Sequence, residues 1–309
     1  MRPKYFELPE LPGTDLRHAW EVFGPSDALG TLNSLTAETR LAAAAAVRVG
    51  HTVNLSLPLN QPDPLPYGRE HPTHVVYATS SFSWDDRLDN LHLQGSTQWD
   101  GLLHVRHKTY GFYGGRMTDP RPDDPLGIDR WVEHGIVGRG VLLDVGRHLH
   151  LVEGDYDPLA PRAITRDDLC AVADAQGVEV RSGDILCVRF GWLEGFRNTP
   201  EETRTTSDGE PCWAGLSARA ETAEYLWDLG IAALACDNPS VEVQPGHRDD
   251  GYLHHRLLTM LGMPLGELFT FDELSRRCAA GGTWDFLFAS APLNLTGAVG
   301  SPANAIALL

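Results

Sequence analysis

The five cysteines of this chain, Cys170, Cys187, Cys212, Cys236 and Cys278, are scattered, odd in number and form no C-x-x-C pair. That argues against a disulfide framework and against a thiolate zinc site, and it fits a reducing, cytoplasmic setting. The opening MRPKYFELPELPG has no apolar h-region, so no secretory signal is expected. No apolar run approaches the roughly 20 residues that cross a bilayer. Positive charge is also scarce, with 25 Lys and Arg against 42 Asp and Glu and a formal charge of −17. Such a chain repels phosphate backbones and anionic lipid, so nucleic acid and membrane surfaces are not expected partners. There is no G-x-S-x-G elbow, no G-x-x-x-x-G-K-[ST] loop and no H-E-x-x-H helix. No G-x-G-x-x-G turn opens a helix either, so a dinucleotide cofactor is not expected.

What is present is 309 residues, 42% hydrophobic and 22% charged, a globular mix. With 31 Gly and 21 Pro the elements must be short and the turns many, which favours a β-rich α/β fold over a helical bundle. Residues 1–30 read as an irregular arm anchored by Trp20 and Phe23. Helices are expected over 38–49 after a Thr36 N-cap, from Thr165 to Gln176, over 218–230, over 251–262, and from Asp272 as a cap to Cys278. Strands are expected within 51–60, 74–84, 135–148, 182–192, 231–243 and 286–294 and at the chain end. Residues 61–74 and 209–217 read as loops. No repeat and no clean linker appears, so 1–309 is expected to form one compact α/β domain.

Three groups carry possible chemistry. His92, Gln94, Ser96, Gln98 and Asp100 sit at strict period two, so on a strand they share one face. A solvated strand face explains such a row simply. Against that, Leu93 and Trp99 hold the other face, and Asp100 is followed four residues on by His104, a step that suits a pocket. The second group is the pair His254 and His255 with Glu267. A lone histidine is more often packed or surface-exposed than a ligand. Adjacent residues on a helix point apart, so at most one of the pair serves a given site. Glu267 lies in the apolar context GMPLGELF, where a carboxylate needs a partner or a raised pKa. The third is CDNPSVEV, 236–243, an ordinary turn after an apolar strand but also a place where α/β sheets carry site residues.

With these blocks in view, the chain resembles the metal-dependent cyclase family that includes kynurenine formamidase and isatin hydrolase. The family signature H-x-G-T-H-x-D-x-P-x-H aligns with Gln94 to His104, and a D-x-P-S-V turn followed by His and Glu aligns with 237–243, His255 and Glu267. FGPSDALGTLNSLT, GDILCVRFGW and APLNLTGAVGSPANAIA also look like a branch of that family. The resemblance implies a barrel-like or mixed β core flanked by helices, of the swivelling β/β/α type, and a homo-oligomer, dimer or tetramer, with aromatic residues near its interface. It also implies a divalent metal, with Asp100, His104, His255 and Glu267 carried over. The two histidine ligands are not carried over, because Gln94 and Gln98 stand in their places; Ser96 and Leu102 replace a glycine and a proline.

Glutamine is a harder, weaker ligand than imidazole, so Mn²⁺ or Mg²⁺ gains on Zn²⁺. Three states stay open: an oxygen-rich metal site using Gln98, Asp100, His255 and Glu267, a zinc site rescued by His92, and a metal-free site. The expected reaction is hydrolysis of an amide, lactam or lactone in a small cyclic or aryl substrate, with His104 moving the proton and Glu267 positioning water or binding metal. Trp99, Phe82 and Trp84 either line the substrate pocket or are plain core. Without metal, His104 and Glu267 would suit a lyase, isomerase or dehydratase acting on a small carbonyl compound. A non-catalytic small-molecule binder is the third reading.

Overall fold

The computed structural model describes residues 2–200 and 211–309, so Met1 and the first two residues of the loop expected at 209–217 lie outside the described residues. In chain order the strands are β1 (Thr52–Asn54), β2 (Thr73–Ala78), β3 (Trp84–Asp89), β4 (Gln98–Asp100), β5 (Ile136–Asp144), β6 (Ala163–Ile164) and β7 (Ile185–Arg189). They continue with β8 (Gly215–Leu216), β9 (Ala233–Cys236), β10 (Leu265–Glu267), β11 (Asp285–Ser290), β12 (Gly300–Pro302) and β13 (Ile306–Leu308). The helices are α1 (Ala37–Ala44), α2 (Arg130–His134), α3 (Val145–Glu153), α4 (Arg166–Gln176), α5 (Trp192–Asn198), α6 (Ala220–Leu229) and α7 (Asp272–Gly281).

Nine strands form one mixed sheet in the order β1-β13-β11-β5-β7-β9-β10-β4-β12. Its middle, β5-β7-β9-β10, is parallel, and every residue of β7, β9 and β10 is buried. That is the pattern of a parallel sheet covered on both faces, and it explains why the segments of β5, β7 and β9 read as apolar runs. Antiparallel strands extend the sheet on both sides. The result is a single compact α/β domain with a mixed sheet flanked by helices. No helix among the described residues is long and apolar enough to cross a membrane.

Local chemistry sets the helix ends. Thr36 accepts from the Thr39 N–H to start α1, and Thr165 with Asp168 closes a capping box on α4. α6 ends as expected at Gly230, in the left-handed region at φ +80°. α1 stops at Ala44, earlier than its alanines suggest, because Val49 and Gly50 both donate to the Leu309 carbonyl, and the chain has to leave the helix to reach β13. Asp272 is the first residue of α7 rather than its cap; its carboxylate accepts from Arg189 Nε at 3.0 Å.

The strand expected over 51–60 is only three residues long, and that over 74–84 is instead a hairpin, β2–β3, outside the main sheet. The arm before α1 packs Trp20 and Phe23 onto the core, with Trp20 Nε1 donating to the Thr259 carbonyl. Gly30 and Gly262 touch through their backbones. A Cβ on Gly30 would lie 1.8 Å from the Gly262 carbonyl oxygen, so the arm is fixed against the segment that follows the helical turn bearing His254.

Candidate active site

Two short strands hold the centre. β10 pairs antiparallel with β4 so that Glu267 faces Gln98 and Leu265 faces Asp100. Period two then puts Gln98 and Asp100 on one face and Trp99 on the other. The long polar row expected from 92 to 100 therefore holds only for its last two members, Gln98 and Asp100; 93–97 form turns and bends. Trp99 is fully buried, lies edge-on to Phe269 and Phe288, and donates Nε1 to Ser290 Oγ at 2.9 Å. It is core, not a substrate contact.

After β4 the chain turns back on itself. The His104 N–H bonds to the Gly101 carbonyl at 2.9 Å, and His104 Nε2 comes to 3.5 Å from Asp100 Oδ1. On the other side, the turn after β9 brings in two more groups. The Val241 N–H donates to Glu267 Oε1 at 3.2 Å, and Glu242 receives His254 Nδ1 at 2.7 Å. Asp237, at the head of that turn, accepts from the N–H groups of Phe190 and Gly191 at 2.7 and 2.8 Å. Burial pushes its pKa up to about 7. Its part is to tie the turn to the end of β7.

The histidine that enters is His254, not His255. Leu253, Leu257, Leu258 and Leu261 are all buried, and His254 shares their inward face. Its Nε2 lies 3.1 Å from Glu267 Oε1 and 3.7 Å from Asp100 Oδ2. His255, one position on, turns outward against His107 and Tyr252. Burial and the charge of His107 push its pKa down to about 4. The alignment placed a histidine twelve residues before Glu267; the residue in place is thirteen before it. The physical reason is the apolar face, which is set by 257, 258 and 261 and admits 254.

Other expected residues also fall elsewhere. The Gln94 amide rests on Gly300, where an added Cβ would meet its nitrogen at 2.5 Å, and Gln94 does not line the pocket. His92 is exposed on a turn and offers no rescue of a zinc site. Phe82 and Trp84 are 97% and 68% exposed on the β2–β3 hairpin, outside the pocket lining.

Gln98, Asp100, His104 and Glu267 do converge. Above them opens a cavity of about 450 Å³, lined among others by Tyr67, Arg69, Trp213, Ser240, Gln244 and Tyr252. The sequence reading missed Glu242, Tyr67, Arg69 and Tyr252. Glu242 was visible as the acid of SVEV, but Tyr67 and Arg69 sit in a Pro-rich segment with no periodicity to mark them.

The electrostatics follow from burial. Burial raises the pKa of Asp100, but His104 and then His254 outweigh it and hold it below the usual carboxylate value. Glu267 gives way instead: burial and the charge of Asp100 push it up to about 7. Burial opposes a charge on His254, yet Glu242, Asp100 and Glu267 together hold it well above the usual imidazole value. A cation among the three carboxylates would satisfy the same oxygens as that proton.

The donor set fits a divalent ion. One ligand atom each from Asp100, His254 and Glu267 lies within 4.8 Å of the others. Both oxygens of Asp100 and Oε1 of Gln98 are buried without a hydrogen-bond partner among the described residues. Orphaned buried oxygens of this kind are costly unless something fills the gap. Gln98 keeps its amide turned by donating Nε2 to Glu267 Oε2 at 2.9 Å, which leaves Oε1 free to coordinate.

The Cyclase family model, described as "Putative cyclase", matches residues 51–243. No curated protein matches. Among solved structures, a novel cyclase is 31% identical, with 96% of this chain and 100% of that one covered at a TM-score of 0.81. An isatin hydrolase bound to the product analogue thioisatinate shares the fold at 16% identity, with 89% and 99% covered and a TM-score of 0.60. A Bacillus stearothermophilus protein described as a predicted metal-dependent hydrolase shares it at 17% identity, with 84% and 98% covered and a TM-score of 0.50.

Calorimetric titration with Mn²⁺ should show one ion per chain. Asp100→Asn and His254→Ala should each weaken it at least ~100-fold, and His255→Ala by less than about threefold. The opposite ranking of His254→Ala and His255→Ala would contradict this site.

Proposed function

The chain belongs to the cyclase family, and from that premise we propose that it is a metal-dependent hydrolase opening an amide, lactam or lactone bond of a small cyclic or aryl substrate. One observation carries this reading: Asp100, His254 and Glu267 offer converging ligand atoms, with both Asp100 oxygens and the neighbouring Gln98 Oε1 left without hydrogen-bond partners among the described residues, at the foot of a cavity whose wall bears His104. Asp100, His254, Glu267 and the Gln98 carbonyl would hold the ion. The donors, mostly oxygen, favour Mn²⁺ or Mg²⁺ over Zn²⁺. When bound, the ion supplies Lewis acidity at the scissile carbonyl and lowers the pKa of water there.

The rest falls to the chain's own side chains. His104 takes the proton from the attacking water at Nε2 and returns it to the leaving nitrogen or oxygen, steadied by Asp100 at 3.5 Å. Glu242 fixes the ring of His254 through Nδ1, so that Nε2 points at the other two acids. Tyr252 stacks on His254 with ring centroids 4.8 Å apart and closes that side to water. Tyr67 and Trp213 offer flat walls to a ring. A second reading is metal-free acid–base chemistry, lyase or isomerase, favoured by Glu267, its pKa pushed up to about 7, lining the same pocket as His104.

We also propose that the chain works as a homo-oligomer, built through the β2–β3 hairpin. A two-stranded hairpin alone is marginal in water. This one exposes Val76, Tyr77, Phe82 and Trp84, an apolar surface that a second copy would cover.

Arylformamides and small lactams should turn over, stop after EDTA treatment and recover with Mn²⁺. His104→Ala should lower kcat at least ~10²-fold. Turnover of a carbonyl substrate that survives full metal removal would favour the lyase reading; unchanged kcat in His104→Ala would remove His104 from the mechanism. In sedimentation equilibrium the native chain should exceed its monomer mass, and Phe82→Ser with Trp84→Ser should lower it. A monomeric native chain would refute the assembly.

A further inference from the structure

One cation of the pocket lining has no hydrogen-bond or ion-pair partner among the described residues. Arg69 lines the pocket, and its guanidinium makes no hydrogen bond or ion pair with any described residue; it lies over the Tyr67 ring, 5.1 Å from the ring centroid, and its charge adds to the pull that holds the pKa of Asp100 down. Arginines elsewhere in this acidic chain readily find carboxylates, as do Arg17, Arg48, Arg139, Arg162 and Arg219. Glu70 follows Arg69 directly and still does not pair with it.

The segment that presents Arg69 is held in an unusual conformation. Tyr67 sits at φ +62°, ψ +28°, a left-handed region that costs a bulky residue strain, and Gly68 follows at φ +69°. The Tyr67 hydroxyl donates to the Pro239 carbonyl at 3.2 Å, which ties this loop to the turn carrying Glu242. The strained loop thus fixes Arg69 over the pocket.

We propose that Arg69 receives a carboxylate of the substrate, so that the enzyme acts on ring or aryl compounds bearing a carboxylate at the end away from the bond to be opened. This rests on the hydrolase reading above and names its substrate class. The reacting end lies at the floor, against Glu267, His254 and His104. Arg69 takes the far end, with Gln244 on the same pocket lining as a further donor. A planar guanidinium binds a carboxylate through two parallel N–H bonds. With three carboxylates at the floor a single negative charge is tolerated, whereas a phosphate dianion is repelled more strongly. The cavity of about 450 Å³ suits a one- or two-ring compound.

The test is binding, not turnover, so it stays readable if the hydrolase reading fails. Benzoate and its neutral counterpart benzamide are titrated calorimetrically into the full chain, with and without Mn²⁺. Native protein should bind benzoate at least ~10-fold more tightly than benzamide. Arg69→Gln should abolish that preference and leave benzamide within about twofold, and Arg69→Lys should retain part of it. Mn²⁺ affinity should change by less than about threefold in both variants, which also shows that the site still folds. No preference for benzoate in the native protein would overturn the proposal. So would equal weakening of both ligands by Arg69→Gln, or a preference that persists while Mn²⁺ affinity shifts; that last result would assign Arg69 to balancing the acids.

Discussion

Three carboxylates around one buried imidazole set the terms for the rest of this molecule. Asp100, Glu242 and Glu267 are each almost fully buried, and so is His254 between them. Charges removed from water are destabilising unless they are paired or ligated. Hydrogen bonds from Gln98, Val241 and His254 meet part of that need. Asp100 is left with only distant imidazoles, at 3.5 and 3.7 Å. The unmet remainder is the physical argument for a cation at this point.

The sheet makes the cluster possible. Glu267 ends β10, and the turn bearing Glu242 leaves the neighbouring parallel strand β9 from the same edge. Sites of open α/β sheets form at that edge. β4 then adds Gln98 and Asp100 antiparallel to β10. Residues far apart in sequence meet because three backbones run side by side. The hairpin and the Arg69 loop hang from the same stretch between β1 and β4, so the segment that shapes the mouth of the cavity also carries the exposed aromatic surface.

Much of this was legible from residues alone, and the failures have physical reasons. Apolar runs marked β5, β7 and β9 because buried parallel strands need no alternation. Thr36, Thr165 and Gly230 marked helix ends because capping is local chemistry. Asp100, His104 and Glu267 were singled out through spacing and an apolar context. His255 was chosen over His254 because an alignment counts positions, while the ring that turns inward is decided by packing against Leu257, Leu258 and Leu261. Trp99 was ambiguous because a strand shows both faces in sequence and only the fold says which one is core. Phe82 and Trp84 are aromatic yet lie outside the lining of the candidate site, which one chain's sequence cannot reveal. Tyr67 and Arg69 had no local signal, since their placement depends on a loop tied to Pro239 across the fold.

The most direct test of the metal centre is an anomalous difference map from crystals grown with Mn²⁺. The account predicts one strong peak bounded by a carboxylate oxygen of Asp100, Nε2 of His254 and a carboxylate oxygen of Glu267, at about 2.0–2.3 Å from each. No peak at that position at saturating Mn²⁺, or a peak bound through His255 or His92 instead, would contradict it.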